Sequence, residues 1–490
     1  MAGNKKISSL QAIVLAAGTS SRFKTGRSKL VEKICGREMI LYPTEILRNL
    51  DIPVLMVVGF QRDSIEETIR NNFYEGITFI HQEEQKGTGH AIQCTKDAWI
   101  ADNILVMNGD MPLITADIIE KLEKKHSSTN AAISFVTAHH CDPNAMYGRV
   151  IQGNDNVQII EAKEFDGDLS EQCCVNAGIY LIKKEFLTTY LSKLEQSSKT
   201  NEWYITDLIK MASDHKLGVS TLAVPFDKIR GVNDFKELWA AEQIKKSEII
   251  QYWMSQGVRF SIAHNVQIDW DVTIGAGTFI GSGAQLLRGT HIGKDCYIDA
   301  FTLIRKTTIA DRTTLHPHTI IDDSIIGSDV FVGPFASVHG HSQIKNGAVI
   351  GSFVEVNRSI VGVGSKAKHL TYLGDTIIGN SSNIGAGTIA CNYDGAQKHT
   401  TTIHDNVFVG ANNTLVAPVT LHNQSMTAAG STITQDVPSE ALGIARERQV
   451  NKEGYATKIK KEKQDAATQE EGSTRFFGAT TTSKTSINEL

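Results

Sequence analysis

A six-residue period between Ile274 and Ile433 constrains the fold of this chain more than any other feature. Small aliphatic residues recur with this spacing, and glycine often follows them. The repeat is carried by Ile274, Ile280, Ile292, Ile326, Val332, Ile350, Ile378, Ile384, Val409, Leu415 and Leu421. A fixed short period of this kind is typical of a parallel β-helix, in which each hexad forms one flat face of a coil. We expect the aliphatic side chains to stack inside the coil and glycine or small residues to turn its corners.

Two stretches depart from the repeat. The segment from Ala390 to Thr402 is polar and contains glycine, so we expect it to loop out of the coil. The segment from His369 to Asp375 interrupts the repeat with residues that the interior of a coil does not need. A glycine-rich loop region or an ordinary β-sandwich would be the alternative fold, but neither holds a six-residue phase over so many copies.

Ahead of the repeat, residues 11 to about 232 alternate strand-like apolar runs with amphipathic segments. Such alternation is typical of an α/β domain, here with a Rossmann-like mixed sheet. Strands are predicted at 12–17, 54–58, 77–80, 104–107, 132–137 and 177–182. Asn233 or Asp234 can cap a long connecting helix. The predicted organisation is an α/β domain over 1–232, a helical linker over 233–260, a β-helix over 261–453 and a disordered tail over 454–490.

Charge and cysteine content exclude several classes of protein. The formal net charge is −5, so there is no basic excess that would indicate nucleic-acid binding. The longest apolar run, from Ile52 to Phe60, is far shorter than the about 20 residues that span a membrane. The seven cysteines are odd in number and form no C-x-x-C pair, which is typical of a reducing compartment and argues against structural zinc. We therefore predict a cytoplasmic protein without nucleic-acid or membrane partners.

The first predicted strand leads into Gly18-Thr19-Ser20-Ser21-Arg22, and Lys29 follows. A glycine-rich turn after a first strand presents backbone N–H groups to phosphate, and two cations complete an anion site. The glycine spacing matches neither a Walker A loop nor a dinucleotide fingerprint. Glycine turns after a first strand are common, so this stretch alone leaves a phosphate site and an ordinary turn equally open.

Three later stretches favour a ligand site. Gln82 and Gly87-Thr88-Gly89-His90 form another glycine turn after a strand. A buried strand ends on Asp110, at the edge where open α/β sheets place their ligands. The glycine before this aspartate and the Met-Pro-Leu after it favour a metal ligand over a simple turn residue. Gly231-Val232-Asn233 offers either a second oxygen ligand or a helix cap.

These motifs occur in the order seen in sugar-1-phosphate nucleotidyltransferases. The matching stretches are Leu15–Gly18 with Arg22 and Lys29, Gly87–Ala91, Gly109–Leu113, Tyr147–Arg149, Glu161, Asn176–Gly178 and Gly231–Asn233. With the β-helix behind them, the chain to about Arg446 resembles the bacterial family of bifunctional N-acetylglucosamine-1-phosphate uridyltransferase/glucosamine-1-phosphate acetyltransferases. The resemblance implies a left-handed β-helix and a homotrimer that packs through it.

For the α/β domain the resemblance implies a site for UTP and UDP-N-acetylglucosamine. A sugar phosphate oxygen would attack the α-phosphorus of UTP and release pyrophosphate, which needs positioning and charge neutralisation. Catalytic roles fall to Arg22 and Lys29, and Mg²⁺ would be held by Asp110 and Asn233. The implied substrate contacts are Leu15, Ala16, Ala17, Gly18, Lys29, Gln82, Gly87, Thr88, Asn108, Gly109, Asp110, Gly148, Glu161, Asn176 and Asn233.

For the β-helix the resemblance implies an acetyltransferase site. His369 would be the general base that takes a proton from the amine of glucosamine-1-phosphate as it attacks acetyl-CoA, a task that suits imidazole. The acceptor contacts would be Tyr372, Asn383, His339 and Asn357, and the acetyl-CoA contacts Ala386, Asn392, Tyr393, Ala411, Ala429 and Arg446. Without the resemblance, a lone histidine on a coil is usually just a solvated side chain.

Several positions depart from the family's pattern. Ser20 and Ser28 replace a glycine and a proline in the first site. His339 and Asn357 stand where the family has an arginine and a lysine that grip phosphate, so we expect weak binding of glucosamine-1-phosphate. Arg358 is expected to face the opposite side from its neighbour, because alternate strand residues do, so it does not obviously replace the lysine. Lys368 could replace it, because it adjoins His369.

The remaining histidines raise the question of a metal site. The pairs are His139 with His140, His316 with His318, and His339 with His341. No acidic or cysteine residue stands at a suitable spacing from them, so we predict that they are solvated surface residues.

Two other functions stay open. The β-helix could be a non-catalytic scaffold for oligomerisation or acetylate a different acceptor, and His369 with Asn392-Tyr393 argues against the scaffold. The whole chain could also be a catalytically silent regulatory protein of the same architecture. The presence of Arg22, Lys29 and Asp110 argues against that.

Overall fold

The computed structural model describes residues 10–142, 146–153, 156–165, 167–168 and 171–474. Within these residues the chain forms an α/β domain, a long connecting helix and a three-sided column of parallel strands. None of the helices in the described residues is long and apolar enough to cross a membrane.

The α/β domain is built on a mixed sheet. Its strands are β1 (Leu10–Ala16), β2 (Lys33–Ile34), β3 (Arg37–Glu38), β4 (Val54–Val58), β5 (Ile77–His81), β6 (Asn103–Asn108), β7 (Ile133–His139), β8 (Arg149–Gln152), β9 (Val157–Ile160), β10 (Cys174–Lys183) and β11 (Val219–Ala223). Its helices are α1 (Leu41–Asn49), α2 (Arg62–Arg70), α3 (Thr88–Gln93), α4 (Ala116–Thr129), α5 (Lys184–Tyr190), α6 (Asp207–Asp214) and α7 (Phe226–Ile229). The main sheet runs β11-β7-β10-β6-β1-β4-β5, and only β10 is antiparallel within this order.

Both faces of the main sheet are covered. Ile13 belongs to the hydrophobic cluster on one face and Val14 to the cluster on the other, because successive strand residues point to opposite sides. Central strands of this kind are near-continuous apolar runs, as β1 and β6 are. The hairpin of β8 and β9 extends from β10, and β2 with β3 forms a separate hairpin. The predicted mixed α/β sheet is confirmed.

The connecting helix α8 (Phe235–Ser255) joins the two parts of the molecule. Asp234 is its capping residue, because its side chain accepts a hydrogen bond of 2.8 Å from the N–H of Glu237. Ala241 is buried in the core of the α/β domain, and Ile250 is buried in the core of the column that follows. A single helix therefore packs against both cores.

The column is a left-handed parallel β-helix, as the sequence and its family resemblance indicated. Its first face contains Arg259–Phe260, Phe279–Ile280, Tyr297–Ile298, Thr314–Leu315, Phe331–Val332, Val349–Ser352, Lys366–His369, Asn383–Ile384, Phe408–Val409, Met426–Thr427 and Leu442–Gly443. Its second face contains Gln267–Ile268, Gln285–Leu286, Leu303–Arg305, Ile320–Asp322, Ser337–His339, Glu355–Asn357, Tyr372–Gly374, Ile389–Cys391, Thr414–Val416 and Thr432–Ile433. Its third face contains Thr273–Ile274, His291–Ile292, Thr308–Ile309, Ile325–Ile326, Gln343–Ile344, Ile360–Val361, Thr376–Ile378, Thr401–Ile403 and Val419–Leu421.

The aliphatic residues of the six-residue period line the inside of the coil, where each is 0–4% exposed. Glycine turns several corners with positive φ, as predicted, for example at Gly277, Gly283 and Gly387. One corner also carries bulky residues, which the prediction did not include. Phe301, His318, Phe335 and Phe353 all adopt positive φ of 56–59° at one corner. Their rings stack along the column with centroids 4.9–5.3 Å apart. Stacking between equivalent positions of successive coils makes bulky residues acceptable there.

Both predicted interruptions of the coil need correction. The segment from His369 to Asp375 does not interrupt it, since strands end at His369 and begin again at Tyr372, with Leu373 buried inside. The looped-out insertion is also shorter than predicted. Residues 390–391 and 401–402 belong to strands, so the excursion covers only residues 392–400.

The predicted disordered tail is helical over α9 (Tyr455–Thr474). The prediction was wrong there because lysine, glutamate, glutamine and alanine favour helix even where few apolar residues are available for packing. The rest of the predicted tail, residues 475–490, lies outside the described residues.

Candidate active sites

The charged residues of the first site meet at the carboxyl edge of the main sheet. Leu15 of β1 pairs with Asn108 of β6, so the loop after β1 lies beside the loop that carries Asp110. The N–H of Val232 donates to the backbone carbonyl of Asp110 at 3.0 Å. This bond holds the segment that carries Asn233 at the same edge.

Four predicted residues form one hydrogen-bonded cluster. Lys29 Nζ donates to Asp110 Oδ2 at 2.5 Å and to Asn233 Oδ1 at 2.9 Å. Arg22 Nη2 also donates to Asn233 Oδ1, at 2.9 Å. The side chains of Lys29 and Asp110 are only 15% and 14% exposed, so their attraction is weakly screened by water.

The cluster suits a divalent cation. The oxygens of Asp110 and Asn233 converge on a single cationic atom, the Lys29 ammonium. Carboxylate and amide oxygens are the ligand types that Mg²⁺ takes in proteins. The donor set therefore fits the predicted metal.

Ser20 and Ser28, which depart from the family's pattern, both support Lys29. Ser20 adopts the left-handed conformation (φ +55°) that favours glycine. Its Oγ accepts a hydrogen bond of 3.0 Å from the N–H of Lys29. Ser28 caps the short turn Lys29–Val31 by accepting from the N–H of Leu30 at 3.3 Å. The loop thus keeps the lysine in the cluster without the glycine and the proline.

A cavity of about 670 Å³ lies over the cluster, and a second of about 370 Å³ continues it past Gly87. The size is typical of a small-molecule site. The predicted residues that line one cavity or both are Leu15, Ala16, Ala17, Gly18, Arg22, Lys29, Gln82, Gly87, Thr88, Asn108, Asp110, Gly148, Glu161, Asn176 and Asn233. Gly109 lines neither. Its N–H donates to Leu15 O at 2.9 Å, and a side chain there would collide with Ile40, so it serves the packing behind the site.

The far end of the cavity carries polar groups. Glu161 Oε1 accepts from Thr206 Oγ1 at 2.9 Å, and Asn176 Nδ2 donates to Tyr180 Oη at 2.6 Å. Burial raises the pKa of the Glu161 carboxyl, because desolvation disfavours its charged form. Hydroxyl, amide and carboxyl groups together suit the hydroxyls of a sugar.

Sequence reasoning missed Tyr180 and Thr206. Thr206 belongs to the segment Glu202–Thr206, which docks on the predicted glycine turn, since Gly89 N donates to Trp203 O at 2.8 Å. The only signal was the aromatic and polar run Trp203-Tyr204-Ile205-Thr206 in a stretch without strand periodicity. Tyr180 lies four residues after Asn176 on β10, and both line the cavity.

The predicted acceptor residues of the β-helix lie on its first and second faces. His369 ends a strand of the first face and Tyr372 begins a strand of the second. His339 and Asn357 are directly paired on neighbouring coils of the second face. Asn383 lies on the first face, one coil beyond the strand of His369. His369 itself is exposed in the single chain.

The predicted orientation of Arg358 was wrong. The strand ends at Asn357, and Arg358 turns the corner with a φ of +50°, so strand alternation does not apply to it. Its guanidinium donates to Asn357 Oδ1 at 2.8 Å and to both carboxylate oxygens of Asp375 at 2.6 and 2.9 Å. The hydrogen bonds from Arg358 hold the pKa of the Asp375 carboxyl below its usual range. This cation is therefore already neutralised by an ion pair.

The predicted acetyl-CoA residues line up on successive coils. The backbone carbonyls of Ala386 and Ala411 accept bonds of 2.7 and 2.8 Å from the coil that follows each. Arg446 contacts the third alanine of this set, because its Nη1 donates to Ala429 O at 2.7 Å. The Asn392 amide is hydrogen-bonded to the Asp375 carboxylate, whereas Tyr393 is 60% exposed. This row of residues begins one coil beyond His369, since Gly387 N donates to Leu370 O at 3.0 Å.

The prediction that no cysteine accompanies the histidine pairs was wrong for His139. Its ring lies 3.9 Å from Cys141 Sγ, and ligand atoms of His139, Cys141 and Cys173 lie within 4.8 Å of one another. Cys141 and Cys173 form a disulfide in the structure. Sequence spacing missed this group because β7 and β10 bring residues 32 positions apart together.

Comparisons with known proteins match both parts of the chain. A MobA-like NTP transferase domain matches residues 12–155, bacterial transferase hexapeptide repeats match 271–306 and 323–358, and a hexapeptide repeat of succinyl-transferase matches 400–435. The bifunctional protein GlmU of Geotalea uraniireducens is 36% identical over 465 residues, which cover 93% of this chain and 100% of that protein. The GlmU proteins of Thermosipho africanus and Trichlorobacter lovleyi are 36% and 38% identical, over 94% and 91% of this chain and 100% and 98% of their own lengths.

Proposed function

The chain belongs to the family of bifunctional GlmU proteins, and from this membership we infer that it catalyses two reactions. It transfers an acetyl group from acetyl-CoA to glucosamine-1-phosphate. It also transfers a uridylyl group from UTP to N-acetylglucosamine-1-phosphate and releases pyrophosphate. The product, UDP-N-acetylglucosamine, serves cell-wall synthesis.

The cluster of Arg22, Lys29, Asp110 and Asn233 supports the assignment of uridylyl transfer to the α/β domain. In this proposal the phosphate of the acceptor sugar attacks the α-phosphorus of UTP, and pyrophosphate leaves. The two cations bind phosphate oxygens and stabilise the charge that moves to the leaving group. The backbone of the Gly18 loop lies at the mouth of the same cavity, where its N–H groups can bind phosphate.

Asp110 and Asn233 would hold Mg²⁺. When bound, the ion neutralises the triphosphate and polarises the α-phosphoryl group. The Lys29 ammonium donates to oxygens of both residues, so it would lie beside the phosphates of UTP as well. Asn233 is kept in place by Glu237, whose carboxylate accepts from its N–H at 2.6 Å.

The polar end of the cavity would bind the sugar. Burial raises the pKa of the Glu161 carboxyl, and this group can exchange hydrogen bonds with the sugar. Asn176 and Tyr180 offer further partners for hydroxyl and acetamido groups. We propose that these three residues select N-acetylglucosamine-1-phosphate.

In the acetyltransferase site His369 would take the proton of the acceptor amine while the amine attacks the thioester carbonyl of acetyl-CoA. His369 and Tyr393 are exposed in the single chain, although such chemistry needs a site that excludes water. We therefore propose that the β-helix assembles as a trimer and that neighbouring subunits complete each site. Exposed apolar residues along its faces, such as Ile320, Ile325 and Phe331, support such packing.

A cytoplasmic location agrees with this function. Five of the seven cysteines, Cys35, Cys94, Cys174, Cys296 and Cys391, are free thiols. Free thiols are typical of a reducing compartment.

The test offers the pure protein UTP, Mg²⁺ and N-acetylglucosamine-1-phosphate and follows pyrophosphate. A second reaction offers acetyl-CoA and glucosamine-1-phosphate and follows free CoA. We expect the wild type to release both pyrophosphate and CoA, and the His369→Asn variant to release only pyrophosphate. A wild-type protein that releases no CoA would leave the β-helix as a scaffold, and one that releases neither product would refute the assignment.

A further inference from the structure

The disulfide between Cys141 and Cys173 lies at the base of a segment that builds the uridylyltransferase cavity. His139 and Cys174 form the last residue pair between β7 and β10, and the N–H of His140 donates to Cys173 O at 2.7 Å. The two cysteines are therefore held side by side just where the strands part. Their sulfur atoms join residues 32 positions apart.

Several of the described residues between the two cysteines line one wall of the cavity. Tyr147, Gly148 and Glu161 line it, and Tyr147 also contacts the segment that carries Asn233. Tyr147 Oη accepts a hydrogen bond of 3.0 Å from the N–H of Gly231, two residues before Asn233. The position of this wall therefore affects both the sugar end and the metal end of the site.

An aromatic cluster connects the disulfide to that wall. The ring of His140, next to Cys141 in the chain, stacks on Phe226 with centroids 3.7 Å apart and planes within 2°. Phe226 in turn meets Tyr147 edge to face at 5.3 Å. A shift of the backbone at Cys141 would therefore displace these rings and, through Tyr147, the backbone of Gly231.

The disulfide is accessible to reductants. Cys141 is exposed and Cys173 is half-buried. A thiolate of a dithiol can attack Cys141 Sγ, which breaks the S–S bond and leaves Cys173 as a thiol after protonation by water. The second thiol of the reductant then displaces Cys141 as a thiol and closes a cyclic disulfide. Two electrons pass from the dithiol to the protein, and the reaction reverses with an oxidised disulfide.

We propose that Cys141 and Cys173 form a reversible thiol–disulfide switch that sets the affinity of the cavity for the sugar phosphate. In the oxidised form the covalent bond holds the wall of Tyr147, Gly148 and Glu161 against the cavity. In the reduced form the covalent bond is lost, so the wall loses this constraint. The effect on catalysis rests on the proposed uridylyl transfer, whereas the existence of the switch does not.

The test equilibrates the full-length protein, without added metal other than Mg²⁺, in oxidised or reduced dithiothreitol. Pyrophosphate release then gives the KM for N-acetylglucosamine-1-phosphate in each state. We expect the KM to be about fivefold or more higher in the reduced state, a coupling of the usual size between linked sites. Acetyl transfer, measured on the same samples, is the internal control and should not change.

Variants separate this pair from the other thiols. Cys141→Ser and Cys173→Ser should show the high KM in both buffers, whereas Cys94→Ser, which removes a free thiol of the same domain, should keep the redox response. An unchanged redox response in Cys141→Ser would overturn the proposal. So would an identical KM for the wild type in both buffers.

Two further readouts do not depend on activity. Alkylation followed by peptide mapping should find Cys141 and Cys173 unmodified in the oxidised protein and both modified in the reduced one, and the melting temperature should fall on reduction. If these hold but no form releases pyrophosphate, the proposed function fails and the switch stands. If both cysteines are alkylated in the oxidised protein, the switch is refuted. A KM change that requires added Zn²⁺ would also refute it, since His139 and the two thiols would then be a metal site.

Discussion

Replacing Asn357 by lysine tests how the acetyltransferase site binds its phosphate. At the edge of the second face that carries Asn357, Arg358 is paired with Asp375, and His339 Nε2 lies 3.2 Å from the Glu355 carboxylate. A lysine at position 357 would place an unpaired ammonium on the same face as Tyr372. We expect the Asn357→Lys enzyme to bind glucosamine-1-phosphate more tightly than the wild type.

The expected size follows from the contacts that change. A hydrogen bond between charged groups contributes about 1.5–3 kcal/mol, which corresponds to roughly one to two decades of affinity. The new ammonium lies near the Arg358 guanidinium, which repels it, and near Asp375, which competes with the phosphate for it. The gain should therefore be at the lower end, about tenfold in KM.

The assay follows CoA release from full-length protein at saturating acetyl-CoA while glucosamine-1-phosphate is varied. The kcat should change little, because the phosphate takes no part in bond making at the amine and binds ground and transition states alike. Asn357→Met is the matched control, since it has a similar length without the charge. His339→Arg should add a second decrease in KM.

Three results would contradict this reasoning. The KM of the wild type could already be as low as that of Asn357→Lys, or Asn357→Met could lower it equally. The third is strong acetyl transfer to an amino sugar without phosphate, which would show that the natural acceptor is a different molecule.

Three further outcomes are expected. Asp110→Ala should abolish uridylyl transfer and leave acetyl transfer nearly intact, because the two sites share no residue; loss of both activities in a folded variant would refute the two-site assignment. Burial raises the pKa of Glu161, so the stability of the wild type should fall as pH rises through that pKa and the carboxyl charges while buried. Denaturation of Glu161→Gln at acidic and neutral pH should show less of this fall, and an identical pH dependence would contradict the assigned burial. Ile350→Ala should lower the unfolding free energy of the β-helix by about 2–5 kcal/mol, because it empties a fully buried position; a denaturation midpoint equal to that of the wild type would contradict this.

Parts of each site could be predicted from the sequence and parts could not. Asp110 was found because a buried strand that ends on a carboxylate is visible in a short window, and parallel strands end at a common edge. Thr206 was missed because nothing near it in the sequence shows that it meets Glu161, 45 residues away. Arg358 was misplaced because the rule of alternation holds only within a strand, and the strand ends one residue earlier.

The sequence by itself determined the architecture. A six-residue aliphatic period can be buried only if every hexad occupies the same place in a coil, and alternating strands and helices can be buried only as a covered sheet. Both are local patterns, so they can be recognised without knowing which segments meet. Only the tertiary structure decided which groups share a site: that Lys29 bridges Asp110 and Asn233, and that Cys141 bonds to Cys173. Such contacts depend on strand order and register, which join distant segments through packing and hydrogen bonds that no short stretch of sequence contains.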